Sequence, residues 1–277
     1  MAESVLETGE CVSDRRSPLT FFLLVFLLSL PFLLFARVPL PGQLNLPVSA
    51  FMLVCPGLAA AILVFREEGG GGVAGLLSRV ADFRKIRAVW YLPIVFLMPG
   101  IMLLSYGVML LSGRPLPADP FVPYLLVPVF VPLFFIAAAF EEVGWMGYAA
   151  DPLQERRSAL STALVLGAVW AVWHSIPWLL LNTPAWAAGQ ALSTVALRVV
   201  IVWLYNNTGG SVFAATLFHG MMNVAEFSFP NLGSHYDPIV TGGITAAVAA
   251  VVVAVWGAET LACRPGRSCG IPLRHRR

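Results

Sequence analysis

Phe140-Glu141-Glu142-Val143-Gly144-Trp145-Met146-Gly147-Tyr148 closes an apolar run that begins at Phe121. A run of that length crosses a bilayer as one helix. Two adjacent carboxylates at the end of such a helix are costly and call for a functional or paired environment. The rest of the chain is as apolar as this stretch. Of 277 residues 58% are hydrophobic and 12% are charged, and the mean hydropathy is +0.80. Soluble domains carry about a quarter charged residues, so the composition points to a polytopic membrane protein. The net charge of +2 is too small to suggest a nucleic-acid partner.

Working outward, apolar runs recur at Leu19–Phe35, Leu46–Phe65, Val89–Leu111, Phe121–Phe140, Ala159–Leu181, Ala191–Tyr205, Val212–Phe227 and Ile239–Trp256. They predict an all-α bundle of about eight transmembrane helices in the cell membrane. A polar N-terminal tail (1–17) precedes a single transmembrane domain (18–257), and a basic tail (258–277) follows. Pro31 is expected to bend the first span and Pro177 to interrupt the fifth. Asp151-Pro152 is expected to break the helix that carries the glutamates. Gly69–Gly72 reads as a flexible break, followed by an amphipathic piece, Val73–Phe83, in the interface plane. With both termini cytoplasmic, 14 basic residues fall inside and only Arg37 and Arg114 outside, as the positive-inside rule requires. That orientation puts Glu141 and Glu142 near the cytoplasmic edge.

Few other ionisable groups stand inside spans. His174 follows Trp170 by one turn, and Asn223 follows His219 by one turn, so each pair shares a helix face. Two histidines from different helices with a carboxylate form a plausible metal-ligand set. The carboxylates are equally suited to act as a general base on water, and Asn223 to donate to an oxyanion. The bland alternatives are a histidine bonded to a backbone carbonyl, glutamates on a solvated helix edge, and an asparagine joining helices. Residue spacing alone leaves these open. His235 and His275 read as surface residues. Cys11, Cys55, Cys263 and Cys269 outline no disulfide framework, and no further ligands stand near Cys263 and Cys269 to make a metal site.

The order of these residues resembles the CPBP intramembrane proteases, the family of CAAX proteases and bacteriocin-processing enzymes. Its Glu-Glu-x-x-x-Arg motif is approximated by Glu141-Glu142-Val143-Gly144-Trp145-Met146. Its Phe-x-x-x-His motif is approximated by Trp170-Ala171-Val172-Trp173-His174, and its His-x-x-x-Asn motif is met by His219-Gly220-Met221-Met222-Asn223. The likeness extends over about 73–223. It implies an intramembrane endopeptidase acting on a membrane-anchored peptide or protein, with the lipid bilayer as its other partner. Glu141 would activate water, with Glu142 in support. His174 and His219 would hold a divalent metal, zinc by family habit, with Glu141 or Glu142, or would polarise the scissile carbonyl. Asn223 would complete the oxyanion site, and Trp170 would support it.

One departure stands out, Met146 in place of the motif arginine. Arg198, inside the sixth span, is expected to reach the carboxylates from another helix or to pair with Glu226. A non-catalytic relative, an immunity or scaffold factor, is the alternative that Met146 favours. A transporter is disfavoured by the absence of an internal repeat. Depth poses a further condition. His174 lies roughly 22 Å along its span, so the helix bearing the glutamates must sit deeper than its hydropathy suggests.

Overall fold

Five helices begin on a side-chain cap. Ser17, Ser158, Thr183 and Ser211 accept the N–H three residues on at 3.3, 3.2, 3.2 and 3.1 Å, and Asp237 accepts Ile239 N and Val240 N at 2.9 and 3.3 Å. Each cap satisfies a donor that the first helical turn leaves open. Pro18, Pro184 and Pro238 follow three of them, at positions where a missing N–H costs nothing.

The computed structural model describes residues 16–36, 38 and 47–262. Cys11, Cys263, Cys269, His275 and most of both predicted tails lie outside the described residues. The helices are α1 (Pro18–Leu34), α2 (Val54–Ser78), α3 (Tyr91–Leu111), α4 (Val127–Gly144), α5 (Ala150–Gln154), α6 (Ala159–Leu181), α7 (Pro184–Asn207), α8 (Val212–Phe227) and α9 (Pro238–Trp256). Among the described residues, six helical runs are long and apolar enough to cross a membrane. The apolar α1, at 17 residues, is shorter, and so is α8 at 16. The protein is an all-α, multi-pass integral membrane protein.

Several local expectations are corrected. The helix that carries the glutamates runs past them, but it does not stop before Asp151-Pro152. A π-helical turn, Trp145–Ala149, joins α4 to α5, so the helical run continues to Gln154. Pro152 therefore does not break it. Proline has no N–H for the Tyr148 carbonyl, and in a regular α-helix its ring would collide with that carbonyl. The wider π turn accommodates both. Pro177 likewise lies inside an unbroken α6. Gly69 does break α2, as a kink at φ 72° and ψ −167° that a side-chain-bearing residue would rarely adopt.

The piece beyond that kink is held to the bundle. Arg79 donates to Gly147 O (2.8 Å), Tyr205 Oη (2.5 Å) and Gly210 O (3.3 Å). Arg16 Nη1 also donates to Gly147 O, at 3.3 Å. The segment after α9 returns to the same end, where Glu259 O and Ala258 O accept from Ala159 N and Leu160 N at 2.8 and 3.0 Å. Both ends of the described chain thus lie at one end of the bundle, beside the α5–α6 and α7–α8 turns.

Glycines set how closely the helices approach. A Cβ on Gly144 would stand 2.6 Å from Pro56 O, and one on Gly57 2.7 Å from Phe140 O, so α2 and α4 touch backbone to backbone. A Cβ on Gly167 would meet Val195 Cα at 2.9 Å and Arg198 Cβ at 3.1 Å, so α6 and α7 do the same. Small residues at such crossings are the usual basis of helix packing in lipid.

Candidate active site

Helical rise fixes the depth of the polar residues. At 1.5 Å per residue, Glu141 lies about 20 Å from the end of α5 and His174 about 22 Å from the start of α6. Arg198 lies about 14 Å from the end of α7, and His219 about 10 Å from the start of α8. All four distances run from the same end of the bundle. The depth condition is met because the glutamates stand in mid-helix, not at its edge.

Trp170 is the centre of the site. Its Nε1–H donates to Glu141 Oε2 at 2.8 Å. The guanidinium of Arg198 lies over its ring, 4.3 Å from the centroid, a cation–π contact. The rings of His219 and His174 meet it edge to face at 5.1 and 5.7 Å. One indole therefore touches a carboxylate, a cation and both intramembrane histidines.

The adjacent glutamates face different environments. Glu142 is fully buried, and both its oxygens are engaged. Oε2 accepts from Arg198 Nη1 at 2.7 Å, and Oε1 stands 2.8 Å from His219 Nδ1. An ionised carboxylate only accepts, so His219 Nδ1 carries the proton and Nε2 is left for other work. Glu141 has the indole on Oε2, and no side-chain or backbone group is bonded to its Oε1 among the described residues. The partner of Arg198 is Glu142 and not Glu226.

His174 is half-buried. Its Nδ1 stands 3.1 Å from Trp170 O, and its ring stacks on Trp178 at 5.3 Å and 13°. It lies within electrostatic range of Glu141, His219 and Arg198. Asn223 stands one turn beyond His219 on α8, half-buried, with no side-chain hydrogen bond among the described residues. Met146 is fully buried.

Of the ligands expected for a metal, Glu142 is already engaged. Both oxygens of Glu142 are taken by a guanidinium and an imidazole N–H. No three His, Cys, Asp or Glu side chains among the described residues are grouped as ion ligands.

Two features escaped the sequence. Trp173 Nε1 donates to Ser29 Oγ at 2.7 Å, tying α1 to the helix that carries His174. Arg79, Asp151 and Tyr205 form a polar cluster at the near end of the bundle, with Tyr205 Oη donating to Asp151 Oδ1 at 2.7 Å. Tyr205 and Asp151 sit where two apolar runs end, the one place a tyrosine and an aspartate could have been paired by eye.

Residues 123–225 match the family model of type II CAAX prenyl endopeptidases, Rce1-like. The chain is also 28% identical over 188 residues to the CAAX prenyl protease 2 of Methanococcus maripaludis, covering 63% of this chain and 69% of the relative. The matched residues hold Glu141, Glu142, Trp170, His174, Arg198, His219 and Asn223. In its helical architecture and in this concentration of polar side chains at membrane depth, the chain is similar to the CAAX-protease-like membrane endopeptidases of the CPBP family.

Proposed function

We propose that the protein hydrolyses a peptide bond near the lipid-anchored end of a membrane-associated substrate, using water activated by Glu141. The carrying observation is the unequal placing of the two glutamates. Glu142 has both oxygens occupied, whereas Glu141 keeps one oxygen open. A base must reach the proton that it removes, and of the two only Glu141 has an oxygen to offer.

In this reading Trp170 orients the Glu141 carboxylate through Nε1–H. Glu141 Oε1 takes a proton from water as the oxygen attacks the scissile carbonyl. Asn223 stands one turn from His219 on α8, and its amide N–H is suited to donate to the oxyanion that develops. Donors aimed in advance at such charge are among the strongest catalytic terms in a site closed to water. His174, within range of Glu141, is suited to carry the proton to the leaving amine. No covalent intermediate is needed, since no serine or cysteine is paired with these histidines. A metal, where one takes part, would supply a Lewis acid to the same carbonyl, but no step here passes through it.

The name of the relative supports a prenylated CAAX tail as the substrate class, with the bilayer as the second partner. The direct test is cleavage of an internally quenched farnesylated CAAX peptide by the purified full-length protein in liposomes, with Glu141→Ala beside it. Cleavage by the wild type alone is expected. Equal cleavage by both would refute the role of Glu141. Absence of cleavage by the wild type over a panel of prenylated and unprenylated anchored peptides would favour the non-catalytic relative, the reading suggested by Met146. The Arg198–Glu142 pair weighs against that reading, because the missing cation has a substitute.

A further inference from the structure

Arg198 and Glu142 are both wholly buried, and their ion pair is 2.7 Å long. Such a pair is a poor device for stability, because desolvating two charges costs about as much as their attraction returns. Its retention calls for another purpose, and the contacts suggest one. The guanidinium holds Glu142 Oε2, whose partner oxygen fixes the His219 tautomer. Its face lies on Trp170, whose N–H fixes Glu141. A single side chain from α7 thus touches both groups that orient the glutamates and one histidine. Arg198 Nε and Nη2 make no hydrogen bond among the described residues, so the cation is spent on this junction. Its seat depends on Gly167, where any Cβ would press on Arg198 Cβ.

We propose that Arg198 is a positioning residue that holds Glu142 and Trp170 so that Glu141 alone is left as base. It does from α7 what a cation one turn beyond Glu142 would do on α4, where this chain has Met146. The proposal rests on the reading of Glu141 as base.

The test compares wild type, Arg198→Met, Glu142→Gln and the double variant, as full-length protein in liposomes, by kcat and KM on the farnesylated peptide and by Tm. Arg198→Met strands a buried carboxylate, so its Tm falls, and the double variant recovers Tm by removing both charges. If Arg198 positions the site, kcat falls about 10–100-fold in Arg198→Met with KM changed by less than about twofold, and the double variant does not recover kcat. Recovery of both Tm and kcat in the double variant would reduce Arg198 to a structural role. An unchanged kcat in Arg198→Met would overturn the proposal directly. If the wild type cleaves nothing, the endopeptidase reading and the positioning role fall together. The Tm cycle then still reports on the clamp itself, and additive losses would refute it.

Discussion

Adjacent glutamates on one helix cannot point the same way, since successive residues are about 100° apart on a helix of 3.6 residues per turn. Here that divergence gives them different work. Glu142 turns to the buried guanidinium of α7, and Glu141 turns to the indole of α6. Trp170→Phe tests the second contact. It keeps the ring under Arg198 and between the histidines but loses the N–H. A hydrogen bond to a charged group is worth about 1.5–3 kcal/mol of stability, so Tm should fall, and loss of the carboxylate's orientation should lower kcat about 10–100-fold in the peptide assay. The sequence displayed every one of these residue types at helical spacing. It could not tell Glu141 from Glu142, because their difference lies in the partners that reach them from α6, α7 and α8. Nor could it choose between Glu142 and Glu226 for Arg198, since both lay at a plausible depth.

Elements decide whether these side chains meet. The spans were legible from hydropathy, but their ends were not, because charged residues inside a bundle read as helix ends. Asp151-Pro152 looked like a terminus, but the π turn before it carries the helix through. Close approach is set by single glycines. A Cβ at Gly144 would stand 2.6 Å from a backbone oxygen of α2, which cannot swing aside as a side chain does. Gly144→Ala should lower stability by about 1–3 kcal/mol through overpacking, measured as a fall in Tm in detergent. Gly167→Ala should do likewise and also lower kcat, because it displaces Arg198. Gly100 has no heavy atom near its would-be Cβ, and Gly100→Ala serves as the neutral control.

At the scale of the molecule, the helices bring one polar layer together inside an apolar bundle. The near end carries Arg16, Arg79 and the turn at 155–158, whereas Arg114 pairs with Asp237 by the α9 start, at 2.7 Å. By the positive-inside rule, the asymmetry of basic residues in the sequence assigns the near end to the cytoplasm as an expectation. Single cysteines introduced at Arg157 and at Arg114, in a background without native cysteines, should react oppositely with an impermeant thiol reagent added to intact cells. Position 114 is expected to label, and position 157 only after permeabilisation. The reverse pattern would turn the molecule over and move the site's nearer opening to the outside.

The measurement that bears most directly on the division of labour is kcat for Glu141→Gln beside Glu142→Gln on the farnesylated peptide, with Tm for both. Loss of a general base costs about 10²–10⁴-fold in rate, so Glu141→Gln should lose that much with Tm preserved. Glu142→Gln should lose less rate but more stability, because it leaves Arg198 buried without its counter-charge. The opposite result, with Glu142→Gln inactive and Glu141→Gln still cleaving, would contradict the assignment of the base.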